Sequence, residues 1–248
     1  MPIQAISSDR LYRKIAQQLS ELIAQGEFEP GQRLPAERDL ARLFNVSRPS
    51  VREALIALEI EGKVEVRVGS GVYVTPPHPV SVPTRDVGEG PFELIRARRA
   101  IEGEVALLAA VEATAEDHAE IQAAHDELRA LQKGNLSTEA ADRRFHVAIA
   151  RATHNGPLEA VVAMLWDQGR GALWQVMEKH FSTPALKAAT LRDHREILRT
   201  IFGGDGPSAR KAMHAHLDRV AREFAKGWER SKKKKRPAHA EPRKRALP

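Results

Sequence analysis

Asp142 and His146 lie four residues apart in a stretch whose apolar residues recur at helical spacing, so both side chains leave the same face of one helix. His194 shares a helical face with Leu191, Leu198 and Ile201. His216 borders a face made by Met213, Leu217, Val220 and Phe224. One carboxylate and three imidazoles on three helices can complete a divalent-metal site, and that donor set suits zinc first, with nickel and manganese also compatible. The chain has 10 histidines, and a single one is more often an ordinary surface or partly buried residue. His214 competes with His216, because a helical wheel separates them only weakly. His125, His154 and His180 carry no such pattern and are read as ordinary histidines.

A second chemistry sits nearer the start. Asn45-Val46-Ser47 makes a turn, Ser47 can cap the following helix, and Pro49 is tolerated in its first turn because no intrahelical N–H is lost there. Arg48 and Arg52 are four apart and project from one face of that helix. At the N-terminal end of the second helix of a helix-turn-helix, such arginines can reach guanine O6 and N7 in the major groove. Ser47 and Ser50, with the helix N-terminus, suit phosphate contacts. Arg38, on the preceding short helix, can reach the backbone or a base edge. Gly69 and Gly71 flank the tip of a hairpin that can approach the minor groove closely. Surface charge is the bland alternative for two arginines, but the cap, the short helix and the hairpin all fall in register.

The elements that must position these residues fall into three segments. Up to about residue 75 the order is helix (Leu11, Ile15, Leu19, Leu22 and Ile23 on one face), helix around 37–44, turn, helix to about 61, then a hairpin with Val64, Val66 and Val68 on one side. That order is a winged helix-turn-helix. Residues 76–91 are rich in Pro, Gly and Val without helical period and read as a linker. The pattern from 92 to about 231 is helical throughout, with breaks predicting about six helices, at 92–112, 115–133, 137–153, 156–181, 185–203 and 207–230. The expected fold class is mainly α: a winged domain plus an all-α bundle. Residues 232–248 are basic and apolar-poor and read as a disordered tail.

Bulk charge does not carry the nucleic-acid argument. The net charge is +6, yet residues 1–75 balance ten Lys/Arg against ten Asp/Glu, while residues 226–248 hold ten against two. The case rests on where the arginines sit. With 0 Cys, disulfides and thiolate metal sites are excluded. Residues 1–10 have no apolar signal core and no stretch is long enough to span a membrane, so a cytoplasmic, bacterial protein without a membrane partner is expected.

The stretch PGQRLPAERDLARLFNVSRPSVREALIALEIEGKVEVRVGSGVYV resembles the GntR family of bacterial regulators over its whole length. That resemblance implies that Arg38, Arg48 and Arg52 read DNA, with Gly69 and Gly71 in the wing, and that a homodimer binds a palindromic double-stranded operator. FELIRARRAIEGEVALLAA, DRRFHVAIARATHN, DHREIL and ARKAMHAHLDRV resemble the FCD effector domain of the FadR-type branch. Carried over, this implies Asp142, His146, His194 and His216 as metal ligands. It also implies a small carboxylate effector beside the metal, with Arg98, four before Glu102, facing its cavity. Asn155 matches a frequent family asparagine, as effector contact or, more simply, as a helix cap.

A count of six helices suggests the VanR-like subgroup, and the AMLWDQGRGALWQVMEKH stretch is similar to regulators of hexuronate and related sugar-acid catabolism. Trp166 and Trp174 are read as core first and effector-pocket lining second. The expected function is an effector-responsive transcription regulator, a repressor by family default. Two other classes compete: a metalloenzyme using the Asp/His site, disfavoured by the lack of a general-base or nucleophile motif, and a non-specific nucleic-acid binder driven by the tail.

Overall fold

A computed structural model describes residues 10–67, 69–76, 89–134, 136–169, 171–181 and 183–230. Most of the expected linker and the whole expected tail lie outside the described residues.

The winged domain is built as its pattern dictates. Helix α1 (Leu11–Ala24) buries Tyr12, Ile15, Ala16 and Leu19, spaced at three and four residues, against α3. Leu11, expected on that face, is instead 44% exposed, and Tyr12 takes its place. Helix α2 (Glu37–Leu43) and α3 (Arg48–Ile60) form the helix-turn-helix. Asn45 makes the turn between them at φ 52°, a left-handed conformation asparagine tolerates. Strands β1 (Val64–Arg67) and β2 (Gly71–Val74) pair antiparallel, Val64 opposite Val74 and Val66 opposite Val72, with all four valines buried. The wing has a third edge that the sequence pattern hides. Leu34 N–H donates to Val72 O and Val74 N–H to Gln32 O, so residues 31–34 pair with β2.

The C-terminal helical domain has seven helices among the described residues, not six: α4 (Pro91–Glu112), α5 (Ala115–Lys133), α6 (Glu139–Arg151), α7 (Gly156–Gln168), α8 (Ala172–Phe181), α9 (Pro184–Phe202) and α10 (Gly206–Arg230). The expected helix over 156–181 breaks at Gly169, which caps α7, and Gly171 follows two residues later. Two glycines so close forfeit about 2 kcal/mol of helix propensity, enough to end a helix whose two halves pack differently. The ground for the VanR-like subgroup therefore falls away.

Helix α4 is the hub. It packs against α6, α7, α9 and, most extensively, α10. The α4–α10 approach is close because Gly103 has no side chain: the His214 imidazole occupies the space a Cβ would fill. Helix α5 lies across α6 and α9 and starts at a capping box in which Thr114 and Asp117 satisfy each other's backbone N–H groups.

Candidate metal centre and DNA-reading surface

Three helices deliver the metal-ligand candidates to one point. Helix α6 carries Asp142 and His146, α9 carries His194, and α10 carries His216. The three imidazoles are fully buried and each offers a nitrogen within 4.8 Å of the others. Asp142 Oδ1 lies 3.5 Å from His194 Nε2 and 3.7 Å from His146 Nε2. All four expected residues converge.

The polar accounting at this point does not close within the protein. Asp142 Oδ1, His146 Nε2, both nitrogens of His194 and His216 Nδ1 are buried without a hydrogen-bond partner. A buried polar atom left unpaired costs about 1–3 kcal/mol, so a cluster of five needs an explanation. A divalent cation would account for Asp142 Oδ1, His146 Nε2 and one nitrogen of His194, since each imidazole ligates through a single nitrogen, and that donor set fits. Burial first, then the neighbouring imidazoles, push the His194 pKa well below its ordinary value. His194 is therefore neutral, the form in which imidazole can ligate.

Carboxylates behind the imidazoles orient them. His146 Nδ1 bonds Glu102, which in turn accepts from Arg98 Nε at 2.6 Å. Burial works against the charge on Glu102, but Arg98 and His146 outweigh it and hold its carboxyl at about 2. His216 Nδ1 faces Asp193 Oδ2 at 3.6 Å, and Asp193 accepts from Arg219 at 2.7 Å. Asp193 carried no periodic signal. Its only trace in the sequence was its place beside His194.

The competitor histidines separate by packing. His216 is in the cluster, and His214 sits on Gly103. His125 is buried in the next row, its ring 6.2 Å from His194. His154 pairs with Asp117 at the surface. His180, read as ordinary, pairs with Glu59 of the winged domain at 2.9 Å.

Arg98 is 4% exposed, its guanidinium 3.8 Å from the Trp166 ring centroid. Trp166 is thus core beside the site. Trp174 lines a cavity of about 90 Å³ next to Asp142, with Glu178, Lys187, Thr190 and Phe224 among the walls. Asn155 does not support the effector role expected of it: its side chain is exposed and its Oδ1 accepts from Leu158 N–H, capping α7. That oxygen is already used where the helix needs it.

The DNA-reading candidates divide by exposure. Ser47 caps α3 through Ser50 N–H, and Pro49 occupies its first turn. The Arg38 side chain is 81% exposed and that of Arg48 43%. Arg52 departs from expectation, since it is 2% exposed and its guanidinium is gripped by Glu37 on α2. In this conformation Arg52 is withheld from solvent. Gly69 and Gly71 take φ values of 85° and 138° at the wing tip, and the Arg33 side chain packs where a Cβ on Gly71 would lie. Arg33 and Glu37 were missed because neither has a periodic or spacing signal.

Comparison with known proteins agrees with this architecture. Residues 11–74 match the family described as "Bacterial regulatory proteins, gntR family", and residues 93–219 match the FCD domain. The chain is 37% identical over 224 residues to the "Uxu operon transcriptional regulator" of Escherichia coli K12, covering 87% of each. It is 38% identical over 215 residues to the "Exu regulon transcriptional regulator" of the same organism, covering 84% of this chain and 82% of that one. The fold also matches a solved structure of E. coli McbR/YncC at TM-score 0.50 and 20% identity, over 89% of this chain and 99% of that one. A winged helix-turn-helix joined to an FCD helical domain defines a DNA-binding transcription regulator, not an enzyme. The chain belongs to the GntR family, with an FCD effector domain.

Proposed function

We propose that this chain is a homodimeric, metal-containing repressor that binds a palindromic operator and releases it, or is reshaped on it, when a small carboxylate occupies the effector domain. The unpartnered buried atoms Asp142 Oδ1, His146 Nε2 and His194 Nε2, with His216 in the same cluster, carry the metal part of the reading. A divalent cation held there would supply a Lewis-acidic partner for a carboxylate oxygen. Glu102 and Asp193 keep two of the imidazoles aimed at the common point.

The effector class follows from chemistry and kinship. Lys187 and Thr190 wall the cavity beside Asp142; Lys187 offers a donor and Thr190, whose hydroxyl donates to Leu186 O, an acceptor to a hydroxylated acid. Arg98, expected to face the effector, is not among the residues lining this cavity; it is buried against Glu102 and Trp166. The cavity, at about 90 Å³, is below the roughly 300–1,000 Å³ of formed small-molecule sites, so a ligand must open it. Relatives named for the Uxu operon and the Exu regulon favour a hexuronate.

The test is to titrate glucuronate, galacturonate and, for comparison, lactate into a complex of protein and operator duplex. A hexuronate is expected to change DNA affinity about tenfold or more, within the range of ordinary allosteric coupling. If no sugar acid shifts it, control by that class is wrong.

A further inference from the structure

The DNA-reading helix does not stand clear of the effector domain. Arg52 donates through Nη1 to the backbone oxygen of Phe224 on α10 at 3.3 Å, and its guanidinium lies 5.7 Å from the Phe92 ring centroid on α4. The next residue, Glu53, accepts from Phe92 N–H at 2.9 Å, at the first turn of α4. Glu59, further along α3, meets His180 Nε2 of α8 at 2.9 Å. Three polar residues of one helix thus end on three different effector-domain helices. Gly90, just before α4, sits so close that a Cβ there would lie 2.9 Å from both Glu53 carboxylate oxygens.

The effector-domain contacts add to a grip that begins inside the winged domain: Glu37 holds Arg52 Nε and Nη2, and Phe224 O takes Nη1. An arginine that reads guanine must turn its N–H groups outward. Those of Arg52 are directed to Glu37 and to Phe224 O. One turn earlier, Arg48 also bonds Glu37 through Nε but keeps its side chain 43% exposed, whereas Arg52 is buried.

We propose that this contact is an autoinhibitory latch: α3 docked on α4, α8 and α10 competes with operator DNA for Arg52, and undocking raises DNA affinity. The latch also touches the effector cavity. Phe224 supplies the carbonyl that holds Arg52, and its ring walls the cavity beside Asp142, packed against Trp174 at 5.7 Å. A molecule seated there acts on the residue that holds the latch, and any difference in its affinity for docked and undocked states shifts the balance between them. This inference rests on the operator-binding reading above.

The experiment uses the full chain and two substitutions made outside the winged domain. His180→Ala removes the Glu59 contact, and Gly90→Ala displaces the Glu53 carboxylate from the Phe92 N–H. A duplex selected by the wild-type protein from a randomised pool is the probe, with affinity read by fluorescence anisotropy at fixed salt. Both variants are expected to bind about five- to tenfold tighter, at the low end of allosteric couplings. Amide exchange across residues 48–60 is expected to speed up while far-UV circular dichroism and metal content stay unchanged. Folded variants that bind with wild-type affinity, or more weakly, overturn the latch. Failure of the wild type to select any duplex overturns the DNA-reading function together with the latch, whereas selection followed by unchanged variants sinks the latch alone.

Discussion

Glu37 holds Arg52 with both carboxylate oxygens, at 2.8 to 3.1 Å, and holds Arg48 with one of them at 2.8 Å. A single buried acid on α2 therefore ties down two arginines of α3 and sets the angle between the two helices. Removing one partner of a buried ion pair leaves an uncompensated charge, at a cost of about 3–5 kcal/mol. Glu37→Ala is expected to lose that much stability in urea titrations. A loss below about 1 kcal/mol would mean the arginines find water or other partners at little cost.

Arg38 makes the opposite prediction. Its side chain is 81% exposed and lies 3.6 Å from Asp39, a surface contact of small energetic consequence. Arg38→Ala is expected to leave the melting temperature unchanged. Operator affinity should fall by about 1–3 kcal/mol if it contacts a base. If it contacts only phosphate, the affinity loss is uniform across sequences and the salt slope falls by about one.

Glu53 makes stability pH-dependent. Burial pushes its pKa from 4.5 up to about 7, and nearby Glu93 adds to the rise, while the Phe92 N–H, Arg96 and Arg52 oppose it. The folded state thus holds this proton more tightly than the unfolded chain does. The stabilisation is complete below 4.5, declines as pH climbs, and is lost above about 7. Glu53→Gln keeps an acceptor for Phe92 N–H and never ionises. It should be more stable than wild type by roughly 1–3 kcal/mol at about pH 8 and no different near pH 4. Parallel melting curves at both pH values would refute the assignment.

Chelation addresses the histidine cluster. Removing a metal bound only by the folded state should lower the melting temperature by roughly 5–10 °C. His194→Ala should abolish that response and the bound metal measured by elemental analysis. A protein that carries no metal, and takes up none when offered zinc, nickel or manganese, would leave Asp142 Oδ1, His146 Nε2 and His194 Nε2 to ordered water.

Gly103 and His214 can be tested as a pair. An exposed helical Gly→Ala change normally stabilises by about 1 kcal/mol. Here the new Cβ would strike the His214 ring, so Gly103→Ala is expected to cost about 1–3 kcal/mol. Adding His214→Ala should restore most of the loss. The same double variant should keep its metal, which would separate the packing role of His214 from the ligand role proposed for His216.

Much of the site was legible because helical spacing is short-range. Asp142 and His146 must share a face once α6 is a helix, and Ser47, Pro49 and Arg48 announce the start of α3 by capping chemistry alone. Glu102 could be seen beside Arg98, but not that it would meet His146, a contact 44 residues away in sequence. Asp193 and Glu37 were invisible for the same reason: each gains its role from a partner on another helix.

By itself the sequence determined the winged domain, the all-helical partner, the element order apart from the α7–α8 break and the third wing edge, and the set of histidines worth weighing, since periodicity, caps and breakers act over a turn or two of chain. Only the tertiary structure separated His216 from His214, because a helical wheel cannot know that Gly103 leaves a hole on the facing helix. Only the tertiary structure placed Arg52 inside. Its exposure depends on Glu37 and on Phe224, 172 residues further along the chain, and no local rule reaches that far.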